Sequence, residues 1–380
     1  MGGSRTGADG GTTPAGGSAA LGGVTSAGGP SLGGAASGGS TPLGGTVSLG
    51  GTTALGGTTF GGEGAAGGAS PLECDLDMVS GEALIETQPE LEALRGVSRI
   101  VGSLRIGGSV TDLSPLACLL SVRDVLEIKN TWKLTSLSGL DALTQLNLLR
   151  VTGNNALRSI SGLNAVANAN LIEILENPRL ESVTGLTSLQ AASVLTVAQN
   201  PMLTQLSGQD ELRSVGKLTL SDSPALQDIE GLAALSTTGD IWLSALGITS
   251  LSGLRSARTT AGLHVSRCAA LTSFAGLENL AITASVHVQE NPQLTNVDAL
   301  RGLGLGSDSL LVNFWQNAAL ANVDGLQSLT RAEELTSGSI TYNGALGQLD
   351  GLSQLTSADT LEIANNQALT TLRVCTVSRA

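Results

Sequence analysis

From Glu73 onward, short alternating apolar runs give way to leucines three residues apart, and the paired pattern returns every 22–26 residues. Runs such as Leu126-Glu127-Ile128 and Val286-His287-Val288 predict strands with one buried face. Their centres are Ile85, Ile106, Ile128, Val151, Ile174, Val197, Leu220, Leu243, Val265, Val288, Phe314, Ile340 and Ile363. Leu134, Leu137, Leu140 and Leu143 typify the returning limb, which turns one row of leucines inward. Short strands recurring in one register stack in parallel about 4.8 Å apart. The pattern over residues 73–380 therefore predicts a mainly β, right-handed parallel solenoid of about thirteen turns, roughly 55–60 Å long.

Two markers keep the same beat. Gly-Leu pairs fall at Gly139-Leu140, Gly162-Leu163 and Gly185-Leu186, and recur from Gly231-Leu232 to Gly351-Leu352. A polar slot holds Asn130, Asn154, Asn177, Asn200, Asn291, Asn317, Asn343 and Asn366, with Ser223, Leu246 and Cys268 in the middle turns. It predicts a ladder of side-chain amides that bond backbone groups at the corner where each strand bends away.

The composite repeat, x-Leu-x-Ile-x-x-Asn-Pro-x-Leu-Thr-Ser-Leu-x-Gly-Leu-x-x-Leu, resembles the receptor L-domain repeat, a relative of the leucine-rich repeat. Its strongest stretch runs from Gly96-Val97-Ser98-Arg99-Ile100 through Leu104-Arg105-Ile106 to Leu113-Ser114-Pro115-Leu116. The chain is also similar to L-domain-like arrays in bacterial surface proteins and lipoproteins, which often follow a Gly/Thr/Ala-rich spacer. A second resemblance is to internalin-like bacterial leucine-rich repeats; the extra residue per turn and the Asn-Pro corner favour the first. The resemblance implies an LRR-like α/β solenoid, an extracytoplasmic binding role, and no catalytic residue.

Residues 1–72 have a different composition. Residues 1–70 hold 26 of the 51 glycines, and their only charged side chains are Arg5, Asp9 and Glu63. Too little apolar surface is present to offset the entropy of ordering them. They are expected to form a disordered Gly-rich tether with an end-to-end distance of roughly 45–50 Å. The N-terminus as written shows no secretory signal, so an upstream start or a removed leader is expected.

Charge and cysteine content narrow the function classes. A formal net charge of −13, with three lysines, disfavours nucleic acid as a partner. No apolar run is long enough for a transmembrane helix. Two histidines and four separated cysteines leave little room for a zinc cluster or a His-dependent triad. No nucleophile elbow, phosphate loop or acidic dyad stands in a suitable context, so no enzyme activity and no cofactor are expected. Cys74 and Cys118 are placed to close one loop over the first turns as a disulfide; two free thiols in a reducing compartment is the alternative. Cys268 and Cys375 are too many turns apart to bridge.

The outward row before each centre reads Glu127, Arg150, Glu173, Thr196, Thr219, Trp242, His264, His287, Asn313, Ser339 and Glu362. Trp242, His264, His287, Asn313 and Trp315 are expected to form one patch, with Arg267, Glu290 and Tyr342 beside it. Exposed aromatics next to polar groups on a rigid scaffold suit a glycan, peptide or protein ligand. Two imidazoles at strand spacing, with Glu290 as third ligand, would suit a metal, but solvated neighbours are commoner and no metal is assigned. The competing function is a structural or adhesive spacer without a discrete ligand.

Overall fold

The computed structural model describes Cys74 and residues 78–303, 310–329, 338–356, 358 and 360–370. The Gly-rich residues 1–72 and Cys375 lie outside the described residues, as do residues 304–309 and 330–337 in the turns before Phe314 and Ile340.

Among the described residues thirteen parallel strands follow one another across a single sheet, from Met78–Ser80 to Leu361–Ala364, making about twelve strand-to-strand turns. Every centre named above pairs with the next in sequence: Ile106 with Ile128, Ile128 with Val151, Leu243 with Val265, Val288 with Phe314, Ile340 with Ile363. The register holds because each strand has one apolar set to bury, and a one-residue slip would turn it to solvent. The leucines of the returning limb, Leu134, Leu137, Leu140 and Leu143 among them, are buried in the same core.

The Gly-Leu pairs have a packing reason. Among the described residues six short 3-10 turns lie on the returning limb, including Glu230–Leu232 and Asp324–Leu326. They press against the turn before so closely that a Cβ on Gly325 would lie 1.8 Å from the Val297 carbonyl oxygen. In four of these turns the missing side chain of glycine allows that approach, while Pro115 and Ala299 hold the position in the other two, and the following leucine fills the core.

The amide ladder is real, and one of its members is misassigned by spacing alone. Asn154, Asn177 and Asn200 are buried; each donates Nδ2–H to a centre carbonyl, of Ile128, Val151 and Ile174 respectively. Asn177 Oδ1 accepts the Asn154 backbone N–H at 3.1 Å, and the pattern resumes at Asn291, Asn317, Asn343 and Asn366. Thr131, not Asn130, fills the slot in the third turn, its N–H bonding Asn154 Oδ1 at 3.0 Å. Asn130 sits one position earlier in the left-handed region, φ 54°, a conformation asparagine tolerates well. Glu176, Gln199, Arg267, Glu290, Gln316 and Tyr342 share that position and that conformation in their own turns.

The sheet is also bent along its length. In the first two turns the strand is cut in two at Gly81 and Gly102, both with positive φ. In the turns that follow it runs unbroken, but its in–out alternation fails once: Asn147 and Leu148 both lie between buried Leu146 and Leu149, Ser193 and Val194 between buried Ala192 and Leu195, and in Ser121–Lys129 and Ala281–Gln289 three residues stand at that point and the register shifts. Two or three successive residues that break the alternation bend these strands at the same point. At the N-terminal end, Cys74 and Cys118 are joined by a disulfide with Cα atoms 5.4 Å apart.

Candidate functional site

Trp242, His264, His287 and Asn313 pair directly across four neighbouring strands. Strand spacing is close to the thickness of stacked rings, so the side chains stand face to face. The Trp242 and His264 ring centroids are 3.7 Å apart with planes 8° from parallel, and those of His264 and His287 are 4.5 Å apart, also at 8°. On the far side of Trp242, Lys217 Nζ lies 5.4 Å from the ring centroid, a cation–π contact. Both faces of the indole are thereby taken, and the column offers solvent ring edges and N–H groups. Trp242 remains 42% exposed, while the two histidines are half-buried.

Gly262 makes room for the column. A Cβ there would lie 3.0 Å from Ser285 Oγ and 3.1 Å from both Asp240 Oδ1 and His264 Nε2, so the His264 ring edge leans over a position without a side chain. Burial pushes the His264 pKa down to about 4, helped by the His287 imidazole and Lys217 and opposed by Asp240. Burial alone lowers His287. Neutral imidazoles each carry one donor and one acceptor, which is what this column presents at neutral pH.

Asn313 continues the row beyond His287, and the other expected residues surround the column. Trp315 is half-buried in the other outward row, paired with Gln289 and Thr341, on a strand three steps from that of Trp242, about 14 Å at strand spacing. Arg267 donates from Nη2 to Ser244 Oγ at 3.0 Å. Asn313 Oδ1 accepts from Ser339 at 3.4 Å. Glu290 and Tyr342 occupy the left-handed corner row, where Tyr342 is 54% exposed. Among the described residues no group of three His, Cys, Asp or Glu side chains could hold a metal ion. Cys268 is buried in the amide-ladder slot, its thiol pKa pushed up to about 11 by desolvation.

A feature absent from the sequence-derived patch lies near the N-terminal end of the sheet. Trp132 and Leu84, both exposed, line a cleft of about 340 Å³ with Glu86, Lys129 and the paired glycines Gly107 and Gly108. Gly107 interrupts an outward row otherwise made of Glu86 and Lys129, and that missing side chain was its only sequence signal. Nearby, Arg105 pairs with Glu82 at 2.9 Å and with Glu127 at 3.5 Å, and Arg150 with Glu173 at 2.8 Å. These are part-exposed surface ion pairs, worth little individually.

The fold is a leucine-rich-repeat-like solenoid. No family profile and no curated protein sequence matches the chain. Among solved structures, an internalin of Listeria monocytogenes is similar at 16% identity, covering 77% of this chain and 90% of its own, with a TM-score of 0.33. At that level the likeness carries no weight for the site; the solenoid stands on its own register and amide ladder. No helix among the described residues is long and apolar enough to cross a membrane.

Proposed function

We propose that the protein is an extracytoplasmic recognition module, held to an envelope by its Gly-rich N-terminal residues, that binds a peptide or protein surface through the Trp242–His264–His287 column. The observation that carries this reading is the column itself: rigid, half-exposed rings locked by stacking at 3.7 and 4.5 Å. Pre-ordered aromatics lose little entropy on binding and are typical anchors of protein interfaces. A sugar would need a free ring face to stack on, and both faces of Trp242 are occupied. Ring edges with N–H groups suit peptide carbonyls instead. The Cys74–Cys118 disulfide supports an oxidising compartment. The proposal assigns no catalytic step and no cofactor.

The test is a peptide array and a glycan array probed in parallel with the full chain, with Trp242→Ala and His287→Ala variants alongside. Saturable peptide binding that weakens about tenfold or more in Trp242→Ala is the expected result. A flat peptide signal from a folded protein, or binding indifferent to both substitutions, would leave the spacer as the better account.

A further inference from the structure

The angle in the sheet holds an open trough of about 830 Å³ that shares no lining residue with the ring column, although its last strand also carries Lys217. It crosses five strands, from Ser121–Lys129 to Ser214–Ser223, four spacings or about 19 Å. Gln145, Asn147, Asn168, Asn170, Ser193 and Ser214 line it, and all but the half-buried Asn147 are exposed. From these features we infer that the trough is a second binding site, for an extended neutral glycan lying along the solenoid axis.

The lining chemistry selects the ligand class. The chain carries a formal net charge of −13, yet no carboxylate lines the trough, and its one charged residue is Arg123 at one end. A polyanion would meet a single cation there, and a polycation would meet no partner. Amides and hydroxyls both donate and accept, as sugar hydroxyls do. Asn170 Nδ2 donates to Asn147 Oδ1 at 2.6 Å, and Ser193 Oγ donates to Asn170 Oδ1 at 3.5 Å. That chain holds the amides in place before a ligand arrives, which lowers the ordering cost of binding.

Geometry separates a glycan from a peptide. An added peptide strand needs an unpaired sheet edge, whereas this trough runs across strands paired on both sides. Its polar groups recur at strand spacing, close to the length of one pyranose in an extended chain, while an extended peptide advances about 3.3 Å per residue. Small residues keep the floor open: Ala169 and Ala192 are buried beneath it, and a Cβ on Gly216 would lie 2.5 Å from the Ser193 carbonyl oxygen. The site is independent of the Trp242 column, so either can fail without the other.

The experiment is calorimetric titration of the full chain with neutral β-linked oligosaccharides, from disaccharide to hexasaccharide, drawn from the cello-, xylo- and chito- series. Affinity is expected to rise with length until about four or five units fill the trough, and to change little with added salt, since no charges pair. Ser193→Trp, which plugs the trough from an exposed position, is expected to weaken binding at least tenfold, and Asn170→Ala by about three- to tenfold. Trp242→Ala is expected to leave it unchanged. No binding of any series by the folded chain would overturn the inference, as would binding that survives both trough variants, or binding confined to charged sugars. Circular dichroism confirms that each variant is folded; should Ser193→Trp misfold, Asn147→Ala takes its place and must weaken binding.

Discussion

Replacing Asn177 by leucine separates hydrogen bonding from volume in the amide ladder. The side chain is fully buried. Its Nδ2 donates to the Val151 and Leu175 carbonyls at 3.0 and 2.9 Å and to Asn200 Oδ1 at 3.3 Å, and its Oδ1 accepts from the Asn154 backbone N–H and from Asn154 Nδ2, both at 3.1 Å. Leucine fills the slot, as buried Leu246 shows in its own turn, but makes none of these bonds. Five bonds lost at a net 0.5–1.5 kcal/mol each, with the buried Asn154 N–H left unpaired, come to about 3–5 kcal/mol after some recovery from apolar burial. A repeat array opens locally, so the loss belongs to the neighbouring turns rather than to the whole chain. Urea unfolding followed by circular dichroism gives the size of the effect, and hydrogen exchange at the Asn154 amide gives its place. A change below about 0.5 kcal/mol with Asn154 protection intact would show that the ladder is ornamental and that packing alone holds the corner.

Three other outcomes follow from the same geometry. Because burial lowers both histidine pKa values in the fold, the neutral rings stabilise it; that contribution is present above the ordinary value of 6.5 and is lost as pH falls toward about 4 for His264. NMR titration of the two ring signals should show both below 6.5 with His264 the lower, and His264→Gln should flatten the acid side of the stability curve; an ordinary His264 titration would refute the stacked geometry. Gly325→Ala puts a methyl 1.8 Å from the Val297 oxygen, so a cost of about 1–3 kcal/mol or more is expected by thermal unfolding, while Gly347→Ala, with open space around it, should cost far less. Cys268 should resist iodoacetamide in the native protein and react on denaturation, with mass spectrometry locating the adduct; rapid native labelling would contradict its burial and its raised pKa.

The candidate sites were legible to different depths. Trp242, His264 and His287 fall in one row on sequence spacing, and the structure adds the stacking that takes their faces and lowers their pKa values. Trp315 shares the neighbourhood in sequence but projects from the other outward row, so proximity along the repeat overstated its closeness to Trp242. The trough was not legible as a site. Its signal, the succession Asn147, Asn170, Ser193 and Gly216 at one offset before four successive strand centres, means something only once several turns are stacked.

What the sequence determined by itself was the period, the identity of every strand centre, and therefore the register. Alternation with period two says which side chains point inward, and burying that set on one side leaves a single alignment of neighbouring turns. The tertiary structure decided what happens between turns. Spacing could not separate Asn130 from Thr131 in the ladder slot, because the choice turns on a left-handed φ at the corner and on which group meets Asn154. Ring stacking depends on side-chain direction at strand spacing, and the trough on an angle repeated in five strands at once. Both are properties of neighbours brought together across a turn, which no single repeat contains.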